Sequence, residues 1–328
     1  MKNKTIEKME QHPNHFKKLL RKMWEIRIFE ETLEQLYAKN KIHGTFHLCI
    51  GQEAAAVGSI ACLSQEDWIA STHRNHGHSL AKGTSMRAMF AEILGKSTGI
   101  NGGKGGSMHI SDAKNHHLGS NGVVGGNFPI AAGAALSMKM QNKKQVVFCF
   151  AGEGATNEGS FHEAMNLASI WQLPITFFIE NNQYGMSSAF KKMTRLDSIA
   201  QRGSSYGVES FSIDGNDLMS VEQLSKRLVQ RMRHGEGPFL VEAKTYRYRG
   251  HSKSDSCLYR SKEEEGRQQA YDPIRRVEAN FIESKIMNKM DIFEEKQIIR
   301  EKIWQLVQEV EGDSLPSDQE LLANIYAK

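Results

Sequence analysis

Two short apolar runs, residues 145–151 (QVVFCFA) and 175–179 (ITFFI), bracket the stretch that most constrains this chain. Both are rich in β-formers and read as buried strands. Between them lie Gly152-Glu153-Gly154, then Phe161, Ala164, Met165, Ala168 and Trp171 at helical spacing. Asn157 is the expected N-cap of that helix, with Glu158 in its first turn and Leu173-Pro174 at its end. The reading is a βαβ unit, with Glu153 at the carboxyl end of one strand and Asn181-Asn182 at the carboxyl end of the next. Ligands of open parallel sheets sit at those ends. A carboxylate and a carboxamide there offer hard oxygen ligands. Glycines let backbone N–H groups approach an anion, and a helix N-terminus adds a positive dipole end. The sum is a site for a divalent cation bridged to a diphosphate. Mg²⁺ suits it, because it takes few protein oxygens and several from phosphate and water. The plain alternative is a tight strand–helix turn with an incidental asparagine pair.

The chain has 328 residues, enough for one large α/β domain or two small ones. The net charge of +4, with Lys and Arg interleaved among acids, gives no argument for a nucleic-acid or membrane surface. Cys49, Cys62, Cys149 and Cys257 form no C-x-x-C pair, and three sit in apolar runs, as expected of free thiols in a reducing compartment. No apolar stretch reaches transmembrane length, and the first residues, MKNKTIEKMEQHPNH, lack the apolar core of a signal peptide. A cytoplasmic protein is the expectation.

Residues 15–39 read as an amphipathic helix through Phe16, Leu19, Leu20, Met23, Trp24, Ile26, Phe29, Leu33 and Leu36. Gly51-Gln52-Glu53 opens a helix of small residues (54–62), suited to close packing in a core or at a subunit interface. Residues 67–71 read as a strand leading into Thr72-His73-Arg74-Asn75-His76-Gly77-His78. The three histidines lack the spacing of a zinc site, and Arg74 among them suits bidentate contact with phosphate. Residues 99–106 (GINGGKGG) are too glycine-rich for regular structure and are expected to pack beside the ligand. Residues 118–126 form a second glycine-rich turn before a helix at 129–140. Residues 185–200 read as a mobile loop near the site. Further strands are expected at 207–213 and 238–243, with a helix at 219–233 between them. The last strand delivers 244–255 (KTYRYRGHSKSD), with His251, into the crevice. Residues 263–328 read as charged helices broken at Asp272-Pro273. One domain follows: a helical arm (1–43), an α/β core (44–260) and a helical extension (261–328).

The pattern G-E-G, a helix-length spacer and N-N resembles the thiamine diphosphate motif. Residues 152–187, GEGATNEGSFHEAMNLASIWQLPITFFIENNQYGMS, resemble α subunits of the two-subunit E1 components of 2-oxo acid and acetoin dehydrogenases. The likeness extends through G-K-G-G-S-M-H (103–109) and the 246–255 loop. It implies an α/β thiamine diphosphate-binding fold: a mostly parallel sheet, helices on both faces and helical extensions at both ends. It also implies roles. The side chains of Glu153 and Asn182 and the carbonyl of Tyr184 would hold Mg²⁺. Gly154 and Ala155 would present N–H groups to the diphosphate, with His73, Arg74 and His251 against it. Gly122 and Val124 would meet the aminopyrimidine, and the Val124 side chain would prop the cofactor in its bent form. His47 and His76 would face substrate, with His251 at the reacting centre.

The same resemblance implies an α₂β₂ assembly in which an E1 β subunit completes the cofactor site, and acyl transfer to a lipoyl group on an E2 partner. The substrate is open: STHRNHGH and HSKSD lean to the acetoin type, GEG to the branched-chain type and ENNQYGMS to the pyruvate type. Ser252 matches a position phosphorylated in some animal relatives, and nothing in this sequence indicates that here. A regulatory homologue without turnover is the alternative from another class. A P-loop nucleotide-binding protein lacks its G-x-x-x-x-G-K-[ST] motif here.

Overall fold

The computed structural model describes residues 4–42 and 44–323. The ends of the expected helical arm and extension, 1–3, 43 and 324–328, lie outside the described residues.

The chain order of strands is β1 Trp68–Ala70, β2 Val147–Gly152, β3 Ile175–Asn181, β4 Tyr184–Gly185, β5 Ser188–Ala189, β6 Glu209–Asp214 and β7 Phe239–Lys244. Five of them pair in parallel in the order β1-β2-β3-β7-β6, while β4 and β5 form a separate antiparallel hairpin. Gly152 stands opposite Glu180, and Asn181 opposite Lys244, so the carboxyl ends of β2, β3 and β7 lie level. The expected site residues therefore share one edge.

The inner strands β2, β3 and β7 are buried and largely apolar on both faces, as a covered parallel sheet requires, while the edge strand β6 is not. Val147, Cys149, Ala151, Ile175, Phe177 and Ile179 pack toward α6 (Asn127–Met140) and α7 (Gly159–Ile170). Phe148, Phe150, Phe178, Phe239 and Val241 pack toward α3 (Glu53–Ile60) and α9 (Leu218–Arg233). A Cβ on Gly58 of α3 would lie 2.9 Å from Val221 Cγ1 of α9, so the small-residue helix is core packing. Asp217 caps α9 by accepting from the N–H groups of Met219 and Ser220, and Arg231 and Arg233 close its last turn.

A third layer joins both ends of the chain. It contains α1 (Lys4–Gln11), α2 (Pro13–Ala38), α4 (His76–Lys82), α5 (Met86–Ile93), α11 (Pro273–Glu283) and α12 (Lys289–Glu311). The shorter α8 (Phe190–Met193), α10 (Lys262–Gln269) and α13 (Asp318–Leu322) complete the set of α-helices among the described residues. Asp272 caps α11 and Asn288 with Asp291 forms a capping box on α12, which explains why the charged C-terminal region breaks where it does. All four cysteines are free, Cys49 and Cys149 being buried. No described helix is long and apolar enough to cross a membrane.

Two local expectations are corrected. Asn157 does not cap α7: Glu153–Asn157 form a 3₁₀ turn and α7 begins at Gly159, with Glu158 at the N-cap position. Arg202 takes the Asn157 side-chain oxygen at 2.6 Å and also donates to the Thr156 carbonyl, so the cap acceptor is already engaged. The 99–106 segment does not line the cavity at the carboxyl edge of the sheet. It wraps around the fully buried carboxylate of Glu92, which accepts from the N–H groups of Asn101, Gly103, Gly105 and Gly106 at 2.7–3.1 Å. Glu92→Ala strands those four donors, and we expect a loss of about 3 kcal/mol or more in urea unfolding of the chain. A loss under about 1 kcal/mol would show that water replaces the carboxylate freely.

Candidate active site

A cavity of about 440 Å³ opens at the carboxyl edge of the sheet, within the usual range of small-molecule sites. Glu153 and Asn182 meet in it, as their strand positions require. The Asn182 N–H donates to Glu153 Oε2 at 3.1 Å, and the Tyr184 N–H donates to Asn182 Oδ1 at 3.4 Å. Burial raises the Glu153 carboxyl above its ordinary value, against the pull of backbone N–H groups and of Arg247 and Arg74. A buried carboxylate with no cationic side chain bonded to it among the described residues is a position ready for a cation. The Tyr184 carbonyl accepts from Arg247 Nη1 at 3.2 Å and keeps a second lone pair. Gly154 and Ala155 line the same wall.

Opposite stands a cationic and imidazole wall. Arg74 is buried, donating through Nη1 to the Leu48 carbonyl (2.5 Å) and through Nη2 to the His251 carbonyl (3.0 Å). His73 and His251 line the cavity, and His47 stands behind them, with ring centroids 4.5 Å from His73 and 4.9 Å from His251. Burial, then Arg74, lowers His47 to about 2, His73 to about 3 and His251 to about 4. The three rings place nitrogens within 4.8 Å of one another. That spacing alone could hold a metal, but Arg74 opposes a dication at all three, and the wall suits an anion.

The histidines of 73–78 part company. His76 is fully buried outside this cavity, Nδ1 at 3.2 Å from the Glu30 carboxylate of α2 and Nε2 at 2.9 Å from Ser107 Oγ. It does not face the cavity, because α2 covers the start of α4. His78 bonds Ser71 Oγ (2.8 Å) and Glu180 (3.3 Å) and stacks on Phe150. Gly122 turns toward the His109 ring, while its neighbours Asn121, Val123 and Val124 line the cavity.

Several cavity residues escaped the sequence reading, among them Gln52, Glu180 and Arg247. Gln52, expected only as a helix start, accepts from Asn182 Nδ2 and Thr245 Oγ1 at 3.4 Å, and its buried Nε2 has no partner. Glu180 precedes the asparagine pair and was an available signal. Arg247, 1% exposed, donates to the carbonyls of Tyr184 and Met186 and so holds the β4–β5 hairpin over the cavity.

The donors fit a metal–diphosphate group: oxygens from Glu153, Asn182 and Tyr184 at one end, Arg74 across the cavity from them, and an unpaired Gln52 amide. Away from that end the wall turns apolar and exposed at Val123, Val124, Met186 and Met193. Residues 21–318 match the family described as Dehydrogenase E1 component. The chain belongs to that family. Among its relatives, the alpha subunit of acetoin:2,6-dichlorophenolindophenol oxidoreductase from Bacillus subtilis (strain 168) is 42% identical over 309 residues, covering 94% of this chain and 92% of the relative. The pyruvate dehydrogenase E1 component subunit alpha of Rickettsia prowazekii (strain Madrid E) is 38% identical over 302 residues, covering 92% of each. That of Porphyra purpurea is 35% identical over 308 residues, covering 92% of this chain and 90% of the relative. This E1 chain is thus the alpha subunit of a thiamine diphosphate-dependent dehydrogenase.

The lowered imidazoles set the pH response of this E1 chain before cofactor binds. A histidine whose folded value lies below its unfolded value of 6.5 takes up fewer protons folded than unfolded between the two. Stability is therefore full above pH 6.5 and falls as pH drops toward about 4. His117, lowered by burial to about 3, adds to the same slope. Melting of the cofactor-free complex should fall across that window, and His73→Asn with His251→Asn should flatten the fall. An unchanged slope in the double variant would discard this account.

Proposed function

We propose that this chain is the α half of an α₂β₂ E1 component that cleaves acetoin, with pyruvate as the second reading. The observation that carries the reading is the meeting of Glu153–Asn182 with the His73–His251 wall in one cavity. When bound, thiamine diphosphate supplies the electron sink for breaking a carbon–carbon bond beside a carbonyl. Glu153, Asn182 and the Tyr184 carbonyl would hold Mg²⁺. Gly154, Ala155 and Arg74 would face the diphosphate, and Val124 would back the rings.

The imidazoles at the reacting end are uncharged near pH 7, and Arg74 is engaged by two carbonyls. Neutral donors suit a neutral hydroxyketone better than a substrate carboxylate. His251 and His73 would hydrogen-bond the carbonyl oxygen and relay a proton to it as it gains negative charge. His76, bonded to Glu30 and Ser107, would set the position of α4 behind them. Acetoin would yield acetaldehyde and a two-carbon unit, the latter oxidised to acetyl as the lipoyl disulfide on E2 is reduced.

The exposed apolar rim supports cover by the β subunit. We read the chain as one domain of a cytoplasmic enzyme. The test is to co-express the chain with its β partner, add thiamine diphosphate and Mg²⁺, and follow reduction of an artificial acceptor with acetoin, pyruvate, branched-chain 2-oxo acids and 2-oxoglutarate. Acetoin is expected to be preferred. Preference for pyruvate would exchange the two readings, and cofactor binding with no turnover on any substrate would favour the regulatory one.

A further inference from the structure

A second cavity, of about 520 Å³, lies over the carboxyl ends of β6 and β7. It borders the cofactor cavity only through Tyr184 and Phe190. Four cations reach it, Lys191, Lys244, Arg267 and Arg276, against two carboxylates, Asp214 and Glu264. Both carboxylates are already engaged. Asp214 Oδ2 accepts from Arg276 Nη1 at 2.7 Å, and Glu264 accepts from the hydroxyls of Tyr184 (2.9 Å) and Tyr246 (2.8 Å). Lys191, Lys244 and Arg267 make no side-chain hydrogen bond or ion pair among the described residues. Glu264 keeps its charge while accepting from the two hydroxyls, so the lining carries four cations against two carboxylates, a net of two positive charges that attracts an anion.

A separate observation adds a second requirement. Asn216 lines the cavity and is 5% exposed, yet its Oδ1 is buried without a partner. Its Nδ2 donates to the Tyr271 carbonyl at 3.4 Å, so the orientation of the amide is set by the protein. A buried acceptor without a donor is costly, and a ligand hydroxyl would supply one. Tyr271, 62% exposed, offers an aromatic surface at the same cavity.

We propose that this cavity binds a nucleoside phosphate, its phosphate among Lys191, Lys244 and Arg267 and a ribose hydroxyl donating to Asn216. The site is tied to catalysis through Tyr184, which lines both cavities: its hydroxyl bonds Glu264 here, and its carbonyl is the metal ligand proposed above. Phe190 and Lys191 begin α8, just past the hairpin that presents that carbonyl. A ligand joining Lys191 to Lys244 holds this segment in place, so it strengthens cofactor binding, and by linkage the cofactor strengthens its own binding by the same factor. This coupling rests on the cofactor reading above; the binding does not.

The test is calorimetric titration of the α–β complex, first saturated with thiamine diphosphate and Mg²⁺ so that the cofactor cavity is filled. AMP should bind saturably, and adenosine at least about tenfold more weakly for want of the charge-assisted bonds. The double variant Lys244→Glu, Arg267→Glu, both exposed positions, should lose at least about tenfold in AMP affinity with its melting temperature retained. No saturable AMP binding, or equal affinity in the double variant, overturns the site. So does AMP binding that appears only when thiamine diphosphate is omitted, since it belongs to the cofactor cavity. Inorganic phosphate binding as tightly as AMP removes the nucleoside from the proposal. Thiamine diphosphate affinity unmoved by saturating AMP overturns the coupling.

Discussion

Glu153→Gln should weaken binding of Mg²⁺ and thiamine diphosphate by about 10²-fold or more, a larger loss than removing a group that only orients a metal ligand. The same variant should leave the cofactor-free complex at least as stable as the parent. Both expectations come from one environment. Burial raises the Glu153 carboxyl, so its ionised form costs more in the fold than in water until a cation arrives. Glutamine keeps the length and an acceptor for the Asn182 N–H while removing the buried charge. Titration calorimetry gives the cofactor affinity, and melting without cofactor gives the stability. The two readouts separate the roles: a variant that melts early and binds normally would make Glu153 a structural carboxylate and sink the metal reading. Glu153→Asp should retain most of the binding, with the ligand oxygen withdrawn toward β2.

His251→Asn should lower kcat by about 10²–10³-fold, within the range for loss of a positioned proton donor or acceptor. The ring stands in the cavity because its backbone is held on both sides. The His251 carbonyl accepts from Arg74 Nη2 at 3.0 Å, and its N–H donates to Asp255 Oδ2 at 2.6 Å. Those bonds use no ring atom and survive the substitution, so the loop should keep its path. The expected signature is a fall in single-turnover rate with cofactor affinity changed far less. If instead the affinity carries the whole loss, His251 is a diphosphate contact alone and the proton role passes to His73. Asp255→Asn weakens the loop anchor without touching the ring and should produce a smaller, mixed effect.

The site was legible wherever it depended on one βαβ unit. Glu153 and Asn182 are placed by strand ends that local periodicity reveals, and the structure brings them to hydrogen-bond distance. Helix α2 was equally readable, at 13–38 against an expected 15–39, because its apolar face repeats over many turns. Legibility failed where a side chain answered to a distant partner. Asn157 has the chemistry of an N-cap, but Arg202, distant in sequence, claims its oxygen. His73, His76 and His78 look alike in sequence. Glu30 and Ser107 draw the second away from the cavity, and Ser71 with Glu180 holds the third. The 99–106 glycines announced close backbone approach, but that its target is the Glu92 carboxylate could not be seen without the fold.

By itself, then, the sequence determined a parallel α/β sheet with Glu153 and Asn182 at one edge, because strand period, helix period and the G-E-G to N-N spacing are local properties of the chain. The tertiary structure alone decided which groups stand opposite that edge. His47, His73 and His251 come from three separate segments, and Arg247 reaches the carbonyls of a hairpin about sixty residues earlier. Contacts of that kind are set by how the α2–α12 layer and the β7 loop close over the sheet, and no periodicity within any one segment encodes them.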